Sequence, residues 1–511
     1  MAELQFSSFT FLFTFLLFLF MLLKIVRGSK AKKSSRKLPP GPRGLPLIGN
    51  LHQLSALTHR SLRDLAKKYG PLMYLKIGEV PTIIVSSSEI AKEVMKTQDI
   101  IFAQRPSVFS VKIMSYDYLG IAFTPYGSYW RQLRKICTIE LLSAKRVQSF
   151  QSIRADELSN LIKAIHSNQG SVINLTDKIF AMTYGITARA AFGNKCKDQD
   201  AFISIVIDLV DLASGFSIAD LYPSIKVLQQ ITGIRRKVEK LHQDTDKILE
   251  DILNDHKQKK LMTKIGQAEA EEDLVDVFLR LQQDGELEFP ITDDHIKAVI
   301  LDIFIAGSET SSTTVEWTFS EMLKNPRVLK EAQAEVRRVF DDKGNVDGSG
   351  MHELKFLKAV VKETLRLHPP ATLLIPRESR ESCEINGYVI PEKTRIMVNA
   401  WAIGRDPNNW KDAETFYPER FLDSPIDFRG TDFEYIPFGA GRRMCPGITF
   451  ALPNVEYPLA QLLYHFDWNL PNGMKFEDLD MTEHFGSAVS RKEDLLLIPT
   501  PYRRSIFHQC P

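Results

Sequence analysis

Pro437-Phe438-Gly439-Ala440-Gly441-Arg442-Arg443-Met444-Cys445-Pro446-Gly447 is the stretch on which the reading of this chain turns. A buried cysteine is ordinarily a small, inert hydrophobe. Cys445 keeps different company. Gly439, Gly441 and Gly447 remove side chains where a backbone must bend through strained dihedrals or lie close to a flat ring. Arg443, two residues before the cysteine, presents a planar fork of donors suited to a carboxylate. Pro446 lacks an amide hydrogen and fits the first turn of a helix, and the residues from Ile448 to Phe466 are largely apolar, so the cysteine is expected at a helix start. Backbone donors and the helix dipole favour a thiolate there. The set suits a thiolate held against a planar iron cofactor that carries carboxylates.

Working outward, the chain has 511 residues, of which 44% are hydrophobic and 25% charged. That is the balance of a globular protein with a large core, and no long linker divides its body. A net charge of +2 leaves no electrostatic footprint for nucleic acid. The cysteines at 137, 196, 383, 445 and 510 are scattered without a Cys-x-x-Cys pair, which disfavours a disulfide framework or a zinc site and fits a reducing compartment.

From Leu4 to Val26 the chain is almost continuously apolar, about the length that crosses a bilayer as a helix. No basic region precedes this run and no Ala-x-Ala-like site follows it, which favours an anchor over a cleaved signal peptide. Arg27, Lys30, Lys32, Lys33, Arg36 and Lys37 come next and place the following domain in the cytosol. The sequon at Asn174 is then expected to stay unglycosylated. Residues 1–27 are read as a membrane anchor and 28–50, with Pro39-Pro40-Gly41-Pro42, as a basic stretch and proline-rich hinge. Residues 51–511 form the remaining domain.

Within that domain, residues 72–85 read as strands around Gly78, whereas most later segments carry helical periodicity. Residues 257–272 are charged and read as an exposed connection, and 344–350 as a glycine-rich loop without the ligand register of an EF-hand. A long helix is expected from Thr292 to Asn325, opened by Asp293 and Asp294 and closed before Pro326. Its middle, Ala306-Gly307-Ser308-Glu309-Thr310-Ser311-Ser312-Thr313-Thr314, breaks the local rules by placing poor helix formers and a carboxylate in an apolar helix. Taken alone, this is a polar face or a kink. Glu363 and Arg366 lie one helical turn apart, and Trp130-Arg131-x-x-Arg134-Lys135 reads alone as a surface helix.

Together these residues resemble the cytochrome P450 haem-thiolate monooxygenases. The family's pattern Phe-x-x-Gly-x-Arg-x-Cys-x-Gly is matched by Phe438, Gly441, Arg443, Cys445 and Gly447, and its distal pattern Ala/Gly-Gly-x-Asp/Glu-Thr-Thr/Ser by Ala306 to Ser311. The similarity runs over nearly the whole chain. Phrases such as Tyr69-Gly70-Pro71-Leu72 and Pro125-Tyr126-Gly127-Ser128-Tyr129-Trp130 look like the plant A-type group, with the texture of its terpenoid-oxidising members. The resemblance implies a mainly α fold with a smaller β region, carried on an N-terminal transmembrane helix at the endoplasmic reticulum, with the catalytic domain facing the cytosol. It implies haem b, with Cys445 as the axial ligand of the iron. Trp130, Arg134 and Arg443, and more weakly Arg377, are implied contacts of the haem propionates, and Phe438, Gly439 and Gly447 line the cofactor. Glu309 and Thr310 are implied to deliver protons, while small neighbours leave room for dioxygen. Glu363, Arg366 and Arg420 are implied to form a buried scaffold.

The resemblance draws substrate-pocket walls from five segments. Phe109, Ile113 and Met114 come from the first, Phe216 from the second, and Phe304 and Ala306 from the long helix. Leu373, Leu374 and Ile375 form a fourth group, and Ala488 and Val489 a fifth. The set carries few charges and suits a compact, hydrocarbon-like substrate such as a sesquiterpene or diterpene. Related plant enzymes oxidise phenolics and alkaloids. No nicotinamide- or flavin-binding unit follows Gly447, so electrons are expected from a separate NADPH-cytochrome P450 reductase, with cytochrome b5 as an additional donor. Arg131, Lys135 and Arg442 are expected on a basic face toward that partner. The other readings are a reductase-independent isomerase or dehydratase, which the Glu309–Thr310 pair disfavours, and a noncatalytic haem carrier. One departure from the family pattern is Pro453, which with Pro458 interrupts the helix after the cysteine and predicts a kink.

Overall fold

The computed structural model describes residues 37–193, 199–212, 217–263, 272–285 and 288–502, together with Phe15. Apart from that residue, the expected anchor at 1–27 lies outside the described residues, as do the basic positions 28–36 and the pocket candidate Phe216. Among the described residues no helix is long and apolar enough to cross a membrane.

Helices dominate, and one of them organises the rest. Asp293–Lys324 runs through the centre, packed against Leu175–Phe192 on one side and against Lys355–Leu367 and Ile448–His465 on others. Its ends fall where the sequence puts them, with Asp293 and Asp294 in the first turn and Pro326 opening the next helix, Pro326–Phe340. The polar run in its middle is no solvent-facing stripe. Ser308, Ser312 and Thr313 are 0% exposed, because the helix is surrounded on every side. Most of its hydroxyls turn back onto carbonyls one turn earlier: Ser312 to Ser308, Thr314 to Thr310, Thr318 to Thr314 and Ser320 to Glu316, at 2.6–3.1 Å. This satisfies buried polar groups without a partner helix.

The smaller β region is a four-stranded sheet in the order Leu72–Ile77, Val80–Val85, Arg395–Val398, Arg377–Glu378. The first two strands form an antiparallel hairpin, the middle pair is parallel and the last antiparallel. Alternation gives the sheet two buried faces. Met73, Leu75, Ile77 and Ile84 pack with Leu62 and Met397 on one, while Leu72, Ile83, Val85, Ile396 and Val398 pack on the other with Phe102, Ile436 and Ala440. The second face therefore carries the cysteine loop.

Two expectations change. Residues 257–263 continue the helix Ile234–Thr263, and Lys257 reaches Asp293 at 2.6 Å, so the charge run marks a helix end bound to the central helix, with 264–271 outside the described residues. Pro453 and Pro458 both lie inside an unbroken helix, Ile448–His465. Tertiary packing against the central helix and Gln151–His166 holds the helix together where two backbone donors are missing.

Candidate functional site

Cys445 follows a single 3-10 turn, Gly441–Arg443, and precedes the helix Ile448–His465, whose N-cap is Gly447. The cysteine thus sits two residues before the cap and not within the first turn, since the chain must still turn at Pro446. Its amide donates to the Phe438 carbonyl at 3.0 Å, and the Gly447 amide points at Sγ from 3.4 Å. Burial pushes the thiol up, opposed by the Gly447 amide and the charge of Arg134. A buried thiolate here needs a bound cation, which a haem iron supplies. Gly439 and Gly441 hold φ of +69° and +68°, a region that favours glycine, and a Cβ on Gly441 would strike the Met95 carbonyl oxygen. Phe438 lies with its ring edge-on to Phe428 at 5.3 Å.

Around this loop, the fold gathers more positive charge than it neutralises. Arg443 donates from Nε to the Ala103 carbonyl at 2.8 Å and from Nη2 to the Thr124 carbonyl at 2.6 Å, while its buried Nη1 has no partner. Its guanidinium stacks on the Trp130 ring, 4.1 Å from the centroid. Burial, then Arg377 and Arg134, lower its pKa to about 9. Arg134 has no hydrogen-bond or ion-pair partner among the described residues, and burial lowers its pKa too. The carboxylate facing the group is Asp99, already bonded to Arg377 at 2.8 Å. An orphaned donor and surplus cations fit the carboxylates of a haem.

Two residues in this group differ from expectation. Trp130 donates its indole N–H to the Ile121 carbonyl at 3.1 Å, so it supports Arg443 with its ring and does not offer a free donor to a propionate. Arg377 is engaged at both ends, by Asp99 and by the Ala440 carbonyl at 2.8 Å, and fastens the cysteine loop to the sheet. Sequence reasoning also missed Arg105 as a member. It is buried, donates to the carbonyls of Ala122, Ile375 and Pro376 at 2.8–2.9 Å, and feels the charges of Arg443 and Arg377. No spacing rule singles out a lone arginine of this kind.

On the central helix, Ala306 is exposed although most of that helix is buried, and Thr310, one turn on, is half-buried. Such surface in mid-helix marks an internal space. Thr310 Oγ1 donates to the Ala306 carbonyl at 2.6 Å, leaving the hydroxyl oxygen able to accept from that space. Gly307 has a different task from its neighbour. A Cβ there would sit 3.3 Å from Phe450 and from Thr187, so its smallness serves helix packing, and Ala306 is what leaves room. Glu309 lies about 100° around the helix from Thr310 and accepts from Ser487 Oγ at 2.9 Å. Asp302, absent from the motif, accepts from the Ala122 amide at 2.9 Å, and burial raises its carboxyl to about 6. Its signal in the sequence was a carboxylate inside the apolar run from Ala298 to Ile305.

A chain with a cysteine set in a glycine-bent loop, under-neutralised arginines nearby and a small exposed residue, Ala306, in the middle of its central helix is matched by the family model "Cytochrome P450" over residues 39–498. The chain belongs to the cytochrome P450 family. It is a haem-binding monooxygenase of the plant kind, as its curated relatives are. It is 57% identical to desmethyl-deoxy-podophyllotoxin synthase of Sinopodophyllum hexandrum, covering 95% of this chain and 96% of that one. Tabersonine 6,7-epoxidase isoform 1 of Catharanthus roseus is 56% identical (98% and 99%), and premnaspirodiene oxygenase of Hyoscyamus muticus 53% (98% and 99%). Among solved structures, a zebra fish cytochrome P450 with abiraterone superposes with a TM-score of 0.74 at 25% identity, over 88% of this chain and 100% of that one.

In this P450, Glu363, Arg366 and Arg420 meet as one buried cluster. Arg366 grips Glu363 with two bonds of 2.8 Å, and Arg420 Nε adds a third at 3.0 Å. Arg366 also donates to the carbonyls of Gly404, Ala413 and Thr415, and the Tyr417 amide donates to Glu363 at 2.8 Å. The cluster ties Lys355–Leu367 to the segment that leads toward the cysteine loop.

The pocket candidates divide. Ile375 is 41% exposed, Ala306 is exposed, and Phe109, Ile113 and Leu374 keep part of their surface. Phe304 does not line the pocket: it is 0% exposed and locked among Tyr184, Phe192 and Phe202, with ring centroids 4.8–5.8 Å away. Leu373 packs under the sheet beside Met73 and Met397, and Met114 packs with Leu209 and Val238. Apolar character alone does not separate a wall from a core. Ala488 and Val489 are each 4% exposed, and Val489 is bound by its backbone to Pro370 and Trp317.

Proposed function

We propose that this P450 hydroxylates a hydrophobic plant metabolite, a sesquiterpene or diterpene. It would use dioxygen and two electrons passed from NADPH by a separate flavoprotein reductase, with cytochrome b5 as an additional donor. The balance is one C–H bond, one dioxygen, NADPH and a proton converted to one alcohol, one water and NADP+. The observation that carries the reading is that the pocket candidates that keep exposed surface, Ala306, Leu374, Ile375, Phe109 and Ile113, include no charged side chain. The name of the Hyoscyamus muticus relative, premnaspirodiene oxygenase, supports a terpenoid.

Haem b supplies the iron at which dioxygen is activated, with electron density pushed onto it by a thiolate. Cys445 provides that sulfur, held by the Phe438 carbonyl and the Gly447 amide. Arg443 and Arg134 would bind the cofactor's carboxylates, and Trp130 and Arg377 keep Arg443 and the loop in place. Ala306 leaves space on the distal side. The Thr310 hydroxyl oxygen, with its hydrogen given to the Ala306 carbonyl, would accept a hydrogen bond from water there, and Glu309 would supply protons to that water. The apolar walls orient the substrate and exclude bulk water.

The apolar run before the hinge supports a single-pass anchor in the endoplasmic reticulum, with Arg131, Lys135 and Arg442 toward the reductase on the cytosolic side. The names of the podophyllotoxin and tabersonine relatives support a second reading, a phenolic or alkaloid substrate at the same site. Turnover by membranes containing the enzyme and a plant reductase, screened over sesquiterpenes, diterpenes, lignans and indole alkaloids, tests both. NADPH-dependent alcohol from a terpene supports the first, and turnover confined to another class overturns it. Product formed without reductase would instead place the protein with the isomerases. Cys445→Ser should abolish the thiolate signature in the reduced carbon-monoxide spectrum, and an unchanged spectrum would reject Cys445 as ligand.

A further inference from the structure

We infer that Ser487 is a positioning residue for the carboxylate of Glu309, so that the tip of a hairpin packed on the central helix sets the orientation of the proton-delivering acid. The inference rests on the monooxygenase reading above.

Residues 485–489 form the tip of a hairpin whose arms, Glu483–His484 and Ser490–Arg491, pair Arg491 with Glu483 and Ser490 with His484. The hairpin is fixed at its base. Glu483 is buried and paired with His59 Nε2 at 3.0 Å and Arg60 Nε at 2.7 Å. It is fixed again beside the tip, where the Val489 amide donates to the Pro370 carbonyl at 2.8 Å and its carbonyl accepts from Trp317 Nε1 at 2.9 Å. Trp317 belongs to the same central helix as Glu309 and is itself immobilised, stacked on His368 at 4.1 Å. His368 is held in turn by Glu321 at 2.7 Å. The tip is thereby registered to the distal helix by bonds that are buried and costly to break.

From this registered tip, Ser487 Oγ donates to Glu309 Oε2 at 2.9 Å. A glutamate side chain has three rotatable bonds, and its own helix does not fix where its carboxylate lies. A hydroxyl donated to a carboxylate is a charge-assisted bond with a defined direction. Tyr184 is near enough to feel the same carboxylate, its hydroxyl being pushed up by burial and then by the charge of Glu309. Glu309 precedes Thr310 in the chain, so a swing of its carboxylate changes where a proton meets the Thr310 hydroxyl. Among the described residues Ser487 Oγ bonds to Glu309 and not to Thr310, so it acts through Glu309.

The test uses the haem-loaded, membrane-bound enzyme as wild type, Ser487→Ala, Ser487→Thr, Glu309→Gln and the Ser487→Ala/Glu309→Gln double variant. Three quantities are read: haem content, peroxide released per NADPH, and the C–O stretch of the ferrous carbonyl form, which reports polarity on the distal side. Ser487→Ala should retain its haem, shift the C–O stretch, and raise the peroxide share about three- to tenfold, the scale of one lost hydrogen bond in an exposed setting. Ser487→Thr should restore both readings. In the Glu309→Gln background, Ser487→Ala should add little, because residues acting in series are not additive. Equal effects of Ser487→Ala in both backgrounds would overturn the inference, as would unchanged coupling with an unchanged stretch, or a loss of haem that accounts for the lost turnover. If the wild type turns over no compound with reductase, the monooxygenase reading fails. The C–O stretch then decides on its own: a shift that Ser487→Thr reverses supports the Ser487–Glu309 link, and no shift overturns it.

Discussion

Arg443 lies over the face of Trp130, its guanidinium carbon 4.1 Å from the ring centroid, and the two residues divide the work of holding one buried charge. Trp130 anchors itself to the Ile121 carbonyl at 3.1 Å, Arg443 anchors itself to the carbonyls of Ala103 and Thr124, and one guanidinium nitrogen is left for an anion. Arg443→Ala should therefore lower haem occupancy sharply, by on the order of tenfold or more for one charge-assisted contact. Trp130→Phe keeps an aromatic face and loses one backbone bond, about 1 kcal/mol, so its occupancy should fall far less. Absorbance at the Soret band against total protein measures both.

Gly441 should tolerate no side chain. Its φ is +68° and a Cβ would meet the Met95 carbonyl oxygen, which is backbone and cannot step aside. Gly441→Ala is expected to yield protein without bound haem or no folded protein at all, whereas Gly387→Ala, at a left-handed position with open space around it, should cost only about 1 kcal/mol. Expression with haem quantitation separates the two.

Glu363 holds two arginines in a site that is 0% exposed at its own side chain. Glu363→Gln removes the charge that both Arg366 and Arg420 face, and breaking a buried pair in this way destabilises by about 3–5 kcal/mol. Arg420→Ala should cost less, since Arg366 still engages Glu363 with two bonds. Denaturant midpoints with unchanged slope would report these differences.

Glu316 introduces a pH dependence away from the catalytic face. It is buried on the central helix beside Thr176 and Arg491, and burial raises its carboxyl from the ordinary 4.5 to about 7. The folded protein thus keeps a proton that the unfolded chain releases above 4.5, so stability falls as pH rises from 4.5 to about 7 and levels off beyond. Glu316→Gln should remove this slope. Between about pH 5 and pH 7.5 the wild type should lose on the order of 2–3 kcal/mol that the variant retains, measured by chemical denaturation at the two pH values.

Much of this protein was legible along the chain because its chemistry is written at short range. The bend that presents Cys445 depends on Gly439, Gly441 and Gly447 within a few residues of it, and the Glu363–Arg366 pair depends on one helical turn. The central helix announced both of its ends, and the polar run from Ala306 to Thr314 stood out in its middle, where the family resemblance gave it an implied role. Covalent neighbours and regular periodicity transmit such information without the rest of the fold.

Other features are contacts between residues far apart in the chain, and only packing chooses among them. The family resemblance placed Phe304, Leu373 and Met114 on pocket walls, yet they fill cores, because an apolar residue looks the same in sequence whether its neighbour is a cavity or another side chain. Asp302 acquires its role from Ala122, Arg105 from Arg443 and Arg377, and Glu309 from Ser487. The sequence by itself determined the cysteine loop, the polar run of the central helix and the scaffold pair, and through their resemblance the family. The tertiary structure alone decided which donors remain unpaired, which small residue leaves room, and which distant side chain holds the distal acid, since burial and partnership are properties of the packed chain.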